Sequence, residues 1–352
     1  MDITPYLKLM VEKNASDLFF TVSSPVKIKM EGKATPVGKT VLTSELCKAA
    51  AYGIMNEHQV QHFEETMECD FAIALPDGSA RFRVNVFRQR GEVGMVLRLI
   101  PSQIPTVDEM GLPEILKELI MHKRGLILMV GATGSGKSTT LAAMLNHRNE
   151  NMAGHILTIE DPVEFSHPNK KSIINQREVG VDTKSYRNAL KASLREAPDV
   201  ILIGEIRDRE TMEAALELSN TGHLAVSTLH ANNANQAMER VINLFPQDLH
   251  KQLFMDLSLN IRAVVSQRLV LGVDGKRCAA IEIMVNTPHI AELILKGDID
   301  EIKVAMAESG QKGMQTFDLA LFNLYKEGRI ELEEALNNAD SRTNLEAKIN
   351  FG

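Results

Sequence analysis

Eight consecutive residues constrain this chain more than any other feature: Gly131-Ala132-Thr133-Gly134-Ser135-Gly136-Lys137-Ser138. They fit the pattern G-x-x-x-x-G-K-[ST]. An apolar run at 126–130 precedes them and a helix-competent stretch at 139–146 follows. A short run apolar at every position suits a strand buried on both faces, as in a parallel α/β sheet. The glycines let the backbone curl so that N–H groups point inward, and the start of the helix adds a partial positive charge. Strand, loop and helix together predict a cradle for nucleotide phosphates. Lys137 is positioned to reach the β- and γ-phosphates, and Ser138 to hold Mg²⁺ beside ATP.

The rest of the composition narrows the setting. The chain has 352 residues, enough for two or three domains. Lys plus Arg number 39 against 46 Asp plus Glu, a net charge of −7, which argues against a general nucleic-acid binder. Cys47, Cys69 and Cys278 are scattered and form no C-x-x-C pair, so they predict neither a zinc site nor a disulfide framework. The first residues have no basic segment leading into an apolar one, and no apolar run approaches the ~20 residues that span a bilayer. A membrane role is therefore expected through a partner, not by direct insertion.

Residues 1–100 read as a small mixed domain. Helical periodicity covers 4–13 and 44–66, with Ser44 as the expected N-cap. Strands are expected at 17–22, 26–30, 69–75, 80–88 and 93–99, with Pro76-Asp77-Gly78 turning between the third and fourth. Prolines at 101, 105 and 113 mark residues 101–113 as a linker. From 114 to 285, apolar runs at 126–130, 156–159, 200–203 and 224–227 alternate with helical stretches. From 286 to 352 the pattern is mostly helical.

A phosphate loop implies nucleotide; hydrolysis also needs carboxylates. Glu205 falls just past the apolar run 200–203, at the strand end where open α/β sheets bind ligands. It is the expected catalytic carboxylate, whereas Asp199 sits at the other end of the same run. Glu160, Asp161 and Glu164 follow a second apolar run and read either as a water- or metal-directed acidic group or as a turn begun by Asp161-Pro162. His223 and His230 bracket a strand. Their spacing is too wide for a zinc motif, so they read as structural unless the strand lies beside the loop. Arg81, Arg83, Arg88, Arg90 and Arg98 crowd the N-terminal strands, either as a solvated face or as guanidinium donors for a neighbouring subunit's phosphate.

Several stretches together resemble the secretion and type IV pilus ATPases, most closely the pilus retraction (PilT/PilU) type. They are GATGSGKSTTLAAML at 131–145, LTIEDPVEF at 157–165, NQREVG at 175–180, ALKASLREAPDVILIGEIRD at 189–208 and TGHLAVSTLH at 221–230. The resemblance covers essentially the whole chain. It implies an α/β fold with a PAS-like N-terminal domain, a RecA-like P-loop ATPase domain and a helical C-terminal region, assembled as a homohexamer. It adds Thr139 to the phosphate and magnesium positions. It makes Glu160, Asp161 and Glu164 an aspartate box, Glu205 the Walker B glutamate and His223 with His230 a histidine box. Arg83 and Arg98 match the family's nucleotide-approaching arginines.

Two departures point to the accessory, PilU-type branch. Ala15-Ser16-Asp17-Leu18-Phe19-Phe20 stands where the principal retraction ATPase reads ASDLHL, and His289-Ile290-Ala291-Glu292-Leu293-Ile294 stands where it reads AIRNLI. The resemblance thus implies an ATP-hydrolysing motor for pilus retraction and twitching. It would be cytoplasmic, peripheral at the inner membrane, and would work with a PilT-type ATPase and an inner-membrane platform protein. The competing readings are the principal retraction ATPase itself, a non-catalytic ring subunit, and a RecA-like nucleic-acid translocase. The acidic balance and the lack of an aromatic–basic strip disfavour the translocase.

Overall fold

The computed structural model describes residues 1–30, 32–101 and 103–351. Glu31, Ser102 and Gly352 fall in the expected N-terminal domain, linker and C-terminal region and lie outside the described residues. The chain divides into two compact units. One comprises Met1–Gln103 with Val163–Ser166 and Gly180–Asp182; the other comprises Ile104–Pro162, His167–Val179 and the chain from Thr183 on.

The first unit opens with α1 (Thr4–Glu12), then β1 (Asp17–Phe20), β2 (Pro25–Met30) and β3 (Lys33–Val41). Helices α2 (Ser44–Tyr52) and α3 (Glu57–Thr66) follow, and β4 (Glu68–Ala74), β5 (Arg81–Gln89) and β6 (Glu92–Ile100) close the unit. The six strands form one antiparallel sheet in the order β3-β2-β1-β6-β5-β4. Alternation along β5 shows why: Phe82, Val84 and Val86 are buried among Leu18, Phe20 and Leu97, while Arg81 and Arg83 take the other face. The single helix expected over 44–66 is two. Gly53 ends the first, and Asn56 opens the second through a reciprocal capping box with Gln59. The first N-cap is Thr43, not Ser44; its hydroxyl accepts the Leu46 N–H. Gly78, at φ 71°, makes the turn into β5 that the Pro-Asp-Gly signal predicts.

The second unit contains α4 (Ile115–Ile120), β7 (Gly125–Val130), α5 (Lys137–Asn151), β8 (Gly154–Glu160), β9 (Ser172–Glu178), α6 (Tyr186–Ser193) and β10 (Val200–Ile203). Next come α7 (Arg209–Asn220), β11 (Leu224–Leu229), α8 (Ala234–Asn243), α9 (His250–Asn260), β12 (Ile261–Leu271) and β13 (Arg277–Val285). Helices α10 (Pro288–Lys296), α11 (Ile302–Glu308), α12 (Phe317–Lys326), α13 (Leu332–Asn338) and α14 (Arg342–Phe351) complete it. Its seven strands run in the order β13-β12-β7-β11-β10-β8-β9, parallel except for the edge strand β13.

Every residue of β7 is buried. Leu126, Leu128 and Val130 pack with α7, α8 and α9, while Ile127 and Met129 face Leu141, Met144 and Leu145 of α5. Burial on both faces is the physical reason for the unbroken apolar runs. Strands β9, β12 and β13, absent from the sequence reading, extend the sheet on its two sides. Helices α12 to α14 pack through Phe317, Leu321 and Leu345 against Val270 and Ala280 of the β12–β13 hairpin.

Candidate active site at the carboxyl edge of the parallel sheet

Because β7, β8, β10 and β11 are parallel, the residues that follow them emerge at one edge. Val130 lies opposite Leu229, and Ile203 opposite both Ile159 and Ser227. The phosphate loop therefore leaves β7 beside His230, which follows β11. Glu205, which follows β10, comes next, and Glu160 ends β8.

The loop is shaped by close approaches that only glycine permits. A Cβ on Gly131 would lie 2.5 Å from Ser135 Oγ and 2.6 Å from the Gln267 carbonyl oxygen, and one on Gly136 would lie 2.7 Å from Gln267 Nε2. Gly136 also has φ 88° where it caps α5. Lys137 is nearly buried and turns back on its own loop, donating to the Gly131 carbonyl at 2.7 Å and the Ala132 carbonyl at 2.9 Å. Burial lowers its ammonium pKa from the usual range, and the nearby Glu205 charge opposes that shift. Ser135 Oγ and Gln267 Nε2 are buried polar atoms without a hydrogen-bond partner. A lysine bonded to loop carbonyls, unpaired donors and N–H groups at a helix start fit a phosphate-bearing ligand. Ser138 is exposed and Thr139 half-buried at that helix start; Thr133 and Gly134 are exposed at the outer rim of the loop.

Glu205 is held on both carboxylate oxygens. His230 Nε2 lies 3.0 Å from Oε1, and Arg207 Nε donates to Oε2 at 2.6 Å. The carboxylate is 13% exposed against 62% for Arg207, so the arginine is the partner that solvent can release at small cost. The segment is pinned to β11 by the Ile206 N–H on the Thr228 carbonyl at 2.9 Å and the Thr228 hydroxyl on the Gly204 carbonyl at 2.6 Å. A Cβ on Gly204 would meet the Tyr186 hydroxyl at 2.7 Å and the Glu160 Cα at 3.2 Å, so Glu160 and Glu205 sit on adjoining strand ends. Glu160 accepts the Thr158 hydroxyl at 2.6 Å and the Gln176 amide at 3.3 Å. Burial, with Asp161, Glu160 and Glu205 around it, raises the Tyr186 phenol.

Not all expected residues gather here. Asp161 is exposed just past β8 and contributes charge next to Tyr186. Glu164 is exposed on a segment that groups with the first unit. The two histidines are also not a pair within one chain. His223 precedes β11, about 20 Å of strand from His230, with Nδ1 at 3.1 Å from both the Leu218 carbonyl and the Thr221 hydroxyl. Arg83 and Arg98 lie directly opposite one another on β5 and β6. Arg98 Nε is 2.9 Å from Asp17, and its side chain is 67% exposed. Like charges facing across a ladder are unfavourable unless an anion joins them, and Asp17 answers only one of the two. Arg207, Tyr186 and Gln267 are the site residues that sequence reasoning missed. Arg207 lies inside the stretch GEIRD, whereas nothing local marks the other two.

Among the described residues, no cluster of three His, Cys, Asp or Glu side chains forms a metal cage. Magnesium carried by substrate phosphates and water needs no such cage. No helix among them is long and apolar enough to cross a membrane.

Comparison with known proteins gives the family. The profile of the family described as "Type II/IV secretion system protein" matches residues 2–340. The type IV pilus ATPase PilU of Pseudomonas aeruginosa is 54% identical, covering 100% of this chain and 92% of its own length. The retraction ATPase PilT of the same organism is 43% identical, covering 96% and 98%. A crystal structure of the pilus retraction motor PilT with bound ADP superposes with a TM-score of 0.91 at 40% identity, covering 98% of this chain and 99% of that one. The chain belongs to the type II/IV secretion system family, in its PilT/PilU branch of pilus retraction ATPases.

Proposed function

We propose that this chain hydrolyses ATP as a hexameric motor for type IV pilus retraction, as an accessory PilU-type subunit working with a PilT-type ATPase and an inner-membrane platform protein. The observation that carries the reading is Glu205, clamped between His230 and Arg207 at the sheet edge that also carries the phosphate loop. The subtype is supported by 54% identity to PilU against 43% to PilT in one organism.

In this reading the N–H groups of residues 131–139 bind the phosphates, and Lys137 leaves its two loop carbonyls for the β- and γ-phosphates. Ser138 would hold Mg²⁺, with Glu160 and Asp161 reaching it through water; the ion would neutralise phosphate charge. Glu205 orients the attacking water in line with the γ-phosphate, and His230 fixes the carboxylate's direction. Arg83 or Arg98 of a neighbouring subunit supplies further positive charge at the γ-phosphate. Glu164 and His223 are assigned no step within one chain.

The test is genetic. In cells with and without this chain, pilus retraction and twitching are measured with and without the PilT-type paralogue. The accessory reading expects retraction to fail without the paralogue and to weaken under load without this chain. Full retraction driven by this chain alone would overturn it.

A further inference from the structure

Gln267 lies where β12 runs on past the end of β7. Ser266 is the last β12 residue paired with β7, opposite Val130, so Gln267 comes level with the start of the phosphate loop. It is 1% exposed. The Thr140 hydroxyl, also buried, donates to its Oε1 at 2.7 Å. That bond fixes the amide and directs Nε2 at Gly136, close enough to exclude any side chain there. The Gln267 backbone oxygen excludes a side chain at Gly131 in the same way. One residue thus touches both ends of the loop, and its amide nitrogen has no hydrogen-bond partner.

A buried donor without an acceptor is costly and is kept where something compensates for it. Thr140 is in the first turn of α5, whose N–H groups face the phosphates. We infer that Gln267 is a positioning residue for the phosphate cradle. Bonded to Thr140 and pressed under Gly136, it holds the loop–helix junction so that the N–H groups converge before ligand arrives. The inference rests on the reading of the loop as a nucleotide site and adds a residue outside its motif.

The ligand class is the polyphosphate itself, so the effect should not need a base or sugar. Affinities for ATP and for inorganic triphosphate are measured on the full chain with Mg²⁺, for wild type, Gln267→Leu, Thr140→Val and the double variant. The control is Ser266→Ala. The neighbouring Ser266 bonds Glu282 at 3.1 Å on the other face of β12, so this variant perturbs the same strand without touching the loop.

Gln267→Leu and Thr140→Val should each weaken both ligands by about tenfold. The double variant should be no weaker than the worse single one, because the two residues act as one unit. The loss should appear more in KM than in kcat, which places the effect in binding. Three results would overturn the inference: unchanged affinity in Gln267→Leu, an equal loss in Ser266→Ala, or a loss for ATP without one for triphosphate. Wild type that binds neither ligand would instead refute the nucleotide reading.

Discussion

His167 makes the second unit sensitive to acid in a way that can be worked out in advance. The residue is half-buried with Nδ1 shielded and without a hydrogen-bond partner, and burial, aided by the Lys170 charge, lowers its pKa from 6.5 to about 4. Above pH 6.5 the imidazole is neutral whether the chain is folded or not, so it contributes nothing to the pH dependence. Between 6.5 and 4 the unfolded chain takes up a proton that the folded one refuses, so stability falls as pH falls. At about 1.4 kcal/mol per pH unit, the loss reaches about 2 kcal/mol at pH 5 and levels off near 3 kcal/mol below pH 4. Urea unfolding at pH 8, 7, 6 and 5 checks this, followed by circular dichroism because the chain has no Trp. His167→Gln should lose about 2 kcal/mol less than wild type between pH 7 and 5. Equal slopes for the two proteins, or a native His167 that titrates near 6.5 by NMR, would refute the reasoning.

Other perturbations have equally definite outcomes. Phe82→Ala empties a fully buried position in the first sheet and should cost about 3–5 kcal/mol by chemical unfolding. Burial raises the pKa of Glu282, which accepts the Ala234 N–H at 2.8 Å and the Ser266 hydroxyl at 3.1 Å. The folded state therefore holds a proton that the unfolded one releases as pH rises, and Glu282→Gln should be more stable than wild type at pH 8, with a flatter pH profile. Rings mixed from Arg83→Ala/Arg98→Ala subunits and Lys137→Ala subunits should regain part of the ATPase activity that each homogeneous ring lacks. Activity no greater than the sum of the two homogeneous rings would exclude arginines acting on a neighbour's nucleotide.

The sheet edge was readable where burial is two-sided and local. The runs that became β7, β8, β10 and β11 are apolar at nearly every position because helices cover both faces, and that alone placed Glu205 beyond a strand end. Strands β3, β9 and β12 were not readable. Strand β3 is largely exposed, and β9 alternates buried and exposed positions, with Ile173 59% exposed. Strand β12 carries Ser266, Gln267 and Arg268 in succession, and each is accounted for only by a distant partner: Glu282, Thr140 and Asp340. The break at Gly53 was visible in the Gly and the Asn56–Gln59 spacing, but helical periodicity outweighed it. Tyr186 was illegible for a related reason: its hydroxyl belongs to the site only because Gly204 leaves room for it. The motif likewise joined His223 to His230, whereas the strand between them holds them apart.

The central claim is that Glu205 directs hydrolysis at a site whose other wall is the phosphate loop. Single-turnover and steady-state ATPase rates of wild type and Glu205→Gln, with ATP affinity measured alongside, test it most directly. The amide keeps the shape and the His230 contact but removes the negative charge that orients water. The account predicts a fall in kcat of at least about 100-fold with ATP binding retained. Equal turnover in the two proteins would contradict it.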